Sequence, residues 1–361
     1  MKRIQRIAIA AILAGSIAVP AVAPAPIPKE VLPMTPATAR LPIEGNFPSL
    51  SGATAWLNSP PLNPSGLRGK VVLVDFWTFT CVNWLRTLPY VRAWAAKYRD
   101  KGLVVIGVHT PEFSVEHDIA NVRRATQAMR VDYPVAVDND YGVWRAFNNN
   151  YWPAVYLADA QGRIRYHHYG EEAYEETERV IQQLLREAGV PGVTSDLVAV
   201  TPRGTEVAAN WSDVKSGESY VGSEKRENFA SPGEVAGKPH AYTVPARLSL
   251  NHWGLAGEWT VGREIATAEK SKSRIVYRFH ARDVNLVMGP GKAGAPVKFR
   301  VLVDGHAPEA AHGTDTDAQG AGTITEPRLH QLIRQPKPIV DRTFEIEFLD
   351  PGVETFCFTF G

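Results

Sequence analysis

Val71-Val72-Leu73-Val74-Asp75-Phe76-Trp77-Thr78-Phe79-Thr80-Cys81-Val82-Asn83-Trp84-Leu85-Arg86 changes character at its middle. The first half is a continuous apolar, β-branched run, the pattern of a strand buried on both faces of a sheet. In the second half Leu85, Leu88, Val91 and Trp94 recur at three-residue steps and predict a helix, with Pro89 as the place for a kink. Cys81 falls where the strand hands over to the helix N-terminus. Free N–H groups and the positive end of the helix dipole favour a thiolate there. Cys81 is the candidate nucleophile.

The arrangement resembles the thioredoxin superfamily, in which Val-Asp-Phe-Trp precedes Cys-x-x-Cys. Leu41-Pro42-Ile43-Glu44-Gly45, Ala55-Trp56-Leu57-Asn58, Val108-His109-Thr110 and Tyr151-Trp152-Pro153-Ala154 extend the likeness to the exported thioredoxin-like half of DipZ-type proteins of the TlpA kind. The resemblance runs from about Leu41 to the C-terminus. It departs at one place: the family's second cysteine is Trp84 here.

Composition narrows the function classes. The chain has 361 residues, enough for two domains, and a formal charge of +1 without a basic tract. Nucleic acid is not the expected partner. Cys81 and Cys357 are the only cysteines, which excludes a disulfide-rich scaffold and a cysteine-based structural zinc site. No metal or cofactor is called for. Lys2, Arg3 and Arg6 precede the apolar run from Ile7 to Ala18, so residues 1–23 read as a signal peptide. Ala21-Val22-Ala23 and Ser16-Ile17-Ala18 both fit cleavage, and an uncleaved run would anchor the chain to a membrane. Export to a periplasm or cell envelope is expected, with the Pro-rich residues 24–40 as a tether.

Residues 41–190 read as an α/β, thioredoxin-like domain. Short extended pieces before Gly69 suit an antiparallel addition at a sheet edge. Strands are predicted at Leu103 to Val108, Asp132 to Val137, Ala154 to Ala158 and Arg163 to Tyr169. Helices are predicted at Val115 to Met129, Gly142 to Phe147 and Glu171 to Ala188. After a connection at residues 191–215, alternating runs separated by turns predict an all-β domain over 216–361, a β-sandwich of jelly-roll type. It resembles the β-domain of DipZ-type proteins and, more loosely, carbohydrate-binding modules.

The remaining candidates surround the thiol. Asp75 would be a buried carboxylate beneath Cys81 with a raised pKa, a proton acceptor or a plain hydrogen-bonding group of the sheet. The resemblance implies a cis Pro153 after Trp152, facing the cysteine and exposing backbone to a substrate strand. His109, Thr110 and Glu112 should share the carboxyl edge with Cys81. A cationic His109 would lower the thiol's pKa and Glu112 would shuttle protons. Trp77, Thr78, Thr80 and Trp84 complete the loop. His167 and His168 point to opposite faces of one strand and cannot share a metal. Asp315 to Gly320 has formal calcium-loop spacing but reads as a hairpin turn. Trp211, Tyr220, Tyr242, Trp253 and Trp259 would form either a sugar platform or core.

The expected function is thiol-disulfide exchange or isomerisation through Cys81 alone, with an external thiol clearing each mixed disulfide. The partners would be thiol or disulfide proteins or small thiols, with a glycan at the β-domain. A one-cysteine peroxidase is the rival, since Thr78 stands three before Cys81. A redox-inactive binding protein is the other. In the terminal strand Phe356, Phe358 and Phe360 should share the core face, leaving Cys357 on the opposite, more polar one. Two free thiols are expected.

Overall fold

Seven strands form the first sheet, and each apolar run feeds one of two cores. The structure, a computed structural model, describes residues 40–233, 235–291 and 294–361. The signal, anchor and tether readings of residues 1–39 lie outside the described residues. Among the described residues no helix is long and apolar enough to cross a membrane.

In chain order the first part contains β1 (Gly45–Asn46), β2 (Ala55–Leu57), β3 (Val71–Trp77), α1 (Val82–Tyr98), β4 (Leu103–His109), α2 (Ile119–Ala128), β5 (Val135–Val137), α3 (Gly142–Ala146), β6 (Ala154–Ala158), β7 (Arg163–Tyr169) and α4 (Tyr174–Glu187). The sheet order is β1-β7-β6-β3-β4-β5-β2. Strand β3 is central, parallel to β4 and antiparallel to β6, and buried at every residue. Its alternation sorts the layers. Val71, Leu73 and Trp77 face α1, α2 and α4, whereas Val72, Val74 and Phe76 face Val143 and Phe147 around α3. The short early pieces pair at both edges of the sheet, β1 on β7 and β2 on β5. Helix α1 continues through Pro89.

The second part adds β8 (Ser219–Tyr220), β9 (His240–Tyr242), β10 (Trp253–Val261), β11 (Ala266–Ala268), β12 (Ser273–Phe279), β13 (Asp283–Gly289), β14 (Val297–Val303), β15 (Ala321–Ile324), β16 (Arg328–Arg334), β17 (Arg342–Phe348) and β18 (Glu354–Phe360). They form an eleven-stranded sheet curled into two layers. Strand β10 belongs to both, pairing with β12 through Trp253 to Ala256 and with β11 through Trp259 to Val261. Trp253, Trp259 and Tyr242 fill the core between the layers, so these aromatics supply packing and no sugar platform. The Asp315–Gly320 carboxylates are spent within the protein: Asp317 accepts N–H bonds from Gln319 and Ala321, and Asp315 binds Arg328 and the Gln331 N–H.

The two parts share a core. Val287 of β13, Leu329 of β16 and Phe356 and Cys357 of β18 pack in one cluster with Trp84, Leu88, Phe113 and the partly buried Cys81. Strand β13 is therefore buried on both faces. Arg86 of α1 pins the far end of β18, bonding Glu171 at 3.0 Å and the Phe360 carbonyl at 3.3 Å.

Strand β18 departs from simple alternation. Its register with β13 shifts between Val287 and Met288, leaving Phe356 without a partner position. Such a bulge turns successive side chains toward one face. Phe356 and Cys357 both enter the cluster shared with the first part, while Phe358 and Phe360 enter the sandwich core. Cys357 lies on an apolar, fully buried face instead of a polar one.

Candidate active site

Cys81 caps the N-terminus of α1 through its backbone, its carbonyl accepting the Leu85 N–H and its own N–H reaching the Thr78 carbonyl. The residue keeps part of its surface exposed. Its thiol points to the Trp152 carbonyl, 3.9 Å away, and the Trp152–Pro153 bond is cis. Strand β6 begins immediately after that proline, so the pairing of β3 with β6 carries the loop to the thiol. The Trp152 indole is held by the Thr110 carbonyl at 3.1 Å and lies 4.3 Å from Trp144.

Trp84, three residues beyond Cys81, is fully buried and stacks on Trp77 at 4.2 Å with 25° between the rings. Its indole N–H donates to Asp75 Oδ2 at 2.9 Å. Asp75 Oδ1 has no hydrogen-bond partner among the described residues. Burial raises the Asp75 carboxyl to about 7, and the Trp84 bond lowers it by less. Gly107 opposite is required by this packing: a Cβ there would meet Trp77 Nε1 at 2.8 Å and Tyr133 at 3.1 Å.

His109 does not play the cationic part that its position suggests. It is fully buried between Trp77 and Phe79, with ring centroids at 4.8 and 5.7 Å. Burial holds it down to about 3, so it is neutral and cannot assist a thiolate. Cys81 itself is pushed up, first by burial and then by the Glu112 and Glu218 carboxyls, against which helix N–H groups act in the opposite sense. Burial and like charge outweigh the helix terminus. The thiol is the resting form at neutral pH.

The structure adds residues that sequence reasoning missed. Glu116 is fully buried beneath the loop and accepts from the Thr80 hydroxyl at 2.5 Å and from the Glu112 and Phe113 N–H groups at 2.6 and 2.8 Å. Burial raises it to about 7. A glutamate reaching back to N–H groups three and four residues earlier is a readable local pattern. From the second part come Tyr220, whose hydroxyl donates to Glu112 at 2.5 Å, and Glu218 and Lys225 beside it. No local pattern announces these, because their partners lie in the other half of the chain. Thr78 is fully buried in the same loop. His167 bonds Glu44 and His168 bonds the Glu171 carbonyl, on separate faces.

A parallel β3–β4–β5 core with a cysteine at the strand-to-helix junction defines a thioredoxin-like protein. Comparison with known proteins bears on each half. Residues 44–185 match the Redoxin family, and residues 216–361 match the thioredoxin like C-terminal domain family. Protein DipZ of Mycobacterium bovis is 34% identical over 327 residues, which is 88% of this chain and 43% of that protein. Thiol-disulfide oxidoreductase YkuV of Bacillus subtilis is 29% identical over 141 residues, 39% of this chain and 95% of the relative. Among solved structures, a thioredoxin-like protein in its oxidised form is 30% identical, with 40% of this chain and 96% of that one covered and a TM-score of 0.37. The chain belongs to the thioredoxin-like proteins, a redoxin domain followed by a thioredoxin-like C-terminal domain. It spans less than half the length of the DipZ relatives it matches.

Proposed function

We propose that the protein is an exported thiol-disulfide oxidoreductase or isomerase that works through Cys81 alone, with residues 41–190 carrying the thiol, 191–215 connecting and 216–361 covering it. The observation that carries this reading is Trp84: a buried indole, stacked on Trp77 and bonded to Asp75, occupies the place three residues beyond the nucleophile. No second thiol can resolve an adduct from that place. The Cys81 sulfur attacks a substrate disulfide, forming Cys81–S–S–R and releasing the other half as R′–S⁻. An external thiol then attacks the mixed disulfide, leaving with R as a new disulfide and returning Cys81 as the thiol. Asp75, poised near neutrality, serves as the internal proton acceptor. The cis Trp152–Pro153 loop, open beside Tyr151, receives the substrate backbone. Export rests on the basic and apolar N-terminal residues, and the DipZ and YkuV likenesses support the chemistry.

Incubation with oxidised glutathione, followed by mass spectrometry of the Cys81 peptide, tests the reading. One glutathione adduct on Cys81, released by reduced glutathione, is expected, together with turnover of a disulfide dye. An inert Cys81 would leave a binding protein in its place.

A further inference from the structure

We infer that Tyr151 and Tyr169 form a specificity site beside Cys81, one that takes an aromatic side chain next to the reacting cysteine of a polypeptide substrate. The inference deepens the proposed function and rests on the reading of Cys81 as the exchanging thiol. Both rings stand in solvent, Tyr151 54% and Tyr169 40% exposed, with centroids 4.9 Å apart and 42° between their planes. Trp211, the other exposed large aromatic among the described residues, stands apart from them, 5.9 Å from the Arg86 guanidinium. Exposed apolar residues scattered singly are ordinary, whereas a contiguous pair at a reactive centre points to a ligand. The pair is also built from beneath. Asn149, 2% exposed, donates from Nδ2 to the Tyr151 carbonyl at 3.0 Å. The buried Tyr156 hydroxyl donates to Asn149 Oδ1 at 3.1 Å and lies 3.4 Å from the Tyr169 hydroxyl. One buried node thus holds the backbone behind one ring and the hydroxyl of the other.

Continuity with the reacting sulfur names the occupant. Trp152, whose carbonyl faces Cys81 Sγ at 3.9 Å, directly follows Tyr151, and successive Cα atoms are about 3.8 Å apart. Tyr169 is brought to the same loop by its pairing with Ala154 and by the Gly170 N–H, which donates to the Pro153 carbonyl at 2.8 Å. A substrate with its sulfur at Cys81 therefore reaches the rings with the residue next to its cysteine. What the site offers is ring faces. His167, 4.8 Å from Tyr169, is already bonded to Glu44 at 2.7 Å, so that edge carries a paired charge. Aromatic rings pack offset or edge-on at such spacings, and rings fixed beforehand lose little freedom on binding. Glutathione has only a glycine and a γ-glutamyl group beside its cysteine and cannot fill the site. Tyr151 and Tyr169 are specificity residues, touching the substrate but none of the reacting atoms.

The test uses the full chain and two short peptides, each with thionitrobenzoate on a central cysteine that is flanked on both sides by Phe or by Ser. The Cys81 thiolate attacks the peptide sulfur, forming the Cys81–peptide disulfide and releasing coloured thionitrobenzoate. Comparing the two peptides on one protein sample cancels any misfolded fraction. The native protein should react about fivefold faster with the Phe peptide, the size of one aromatic contact. Tyr151→Ala and Tyr169→Ala should each abolish that preference, and Tyr169→Phe should keep it. A second arm titrates the same peptides, S-methylated so that they cannot exchange, onto isotope-labelled protein and reads binding by NMR. Tighter binding of the Phe peptide is expected, with shifts at Tyr151 and Tyr169. Equal binding of the two methylated peptides would overturn the inference, as would a Phe preference that survives both alanine substitutions. The binding arm needs no disulfide exchange, so its outcome stands apart from the glutathione experiment.

Discussion

Trp84 Nε1 donates to Asp75 Oδ2 across 2.9 Å, joining the residue in the resolving position to the buried carboxylate of the central strand. The tryptophan does two things at once. It fills the volume behind Cys81 by stacking on Trp77, and it gives Asp75 its one side-chain hydrogen bond. Substitution therefore has consequences of opposite sign for stability and for chemistry.

Trp84→Cys should lower stability by about 3–5 kcal/mol, the range for emptying a large buried aromatic site, and Asp75 would lose its donor. The same change should raise reduction of an insulin-type disulfide well above the native rate by supplying an internal resolving thiol. Urea melts and an insulin-reduction assay on one sample read both. A folded variant with native activity would mean that the surrounding site no longer supports dithiol chemistry.

Asp75 predicts a pH slope. Its carboxyl is raised from 3.8 to about 7 on folding, so between these values the native state holds a proton that the unfolded chain has lost. Stability then falls as pH rises through that window. Glu116, raised from 4.5 to about 7, adds a slope of the same sign. Asp75→Asn should flatten the decline without abolishing it. Urea midpoints at pH 5 and pH 7.5 measure the difference; an unchanged slope would remove Asp75 as its source.

Arg86 predicts how the halves are coupled. Its guanidinium, with Glu171 5% exposed beside it, reaches the Phe360 carbonyl at the end of β18. Arg86→Ala would leave Glu171 buried without its cation, a change that costs about 3–5 kcal/mol. The native protein should unfold in one transition followed by tryptophan fluorescence, and the variant at a lower urea concentration. Equal midpoints would show that the pair carries no net stability.

Cys357 should stay reduced and silent. It is 1% exposed beneath the bulge of β18 and free in the resting molecule. At pH 9 a thiol reagent should label Cys81 alone, with Cys357 following only after unfolding. Non-reducing peptide mapping that finds a Cys81–Cys357 crosslink would contradict this.

What the sequence revealed and what it hid divide along contact range. Strand β3, the position of Cys81 at the head of α1 and the departure at Trp84 are local, written within neighbouring residues. The β-rich second half is equally legible from its alternating runs. The neutrality of His109 was not, because it depends on Trp77 and Phe79 closing over the ring. Nor was the high-lying thiol: a helix terminus is readable, but the Glu218 charge and the covering β-domain reach it from the other half of the chain. Alternation misplaced Cys357 because one bulge reverses which side chains share a face.

The bond from Arg86 to the Phe360 carbonyl closes a loop of 274 residues. Contacts so distant form late, because the chain must first surrender the freedom of everything between. The strand and helix that frame Cys81 are contiguous and need no such closure. The packing behind Cys81 is nevertheless completed by Val287, Leu329 and Phe356 from the far half of the chain, so the site is whole only when that distant contact is made.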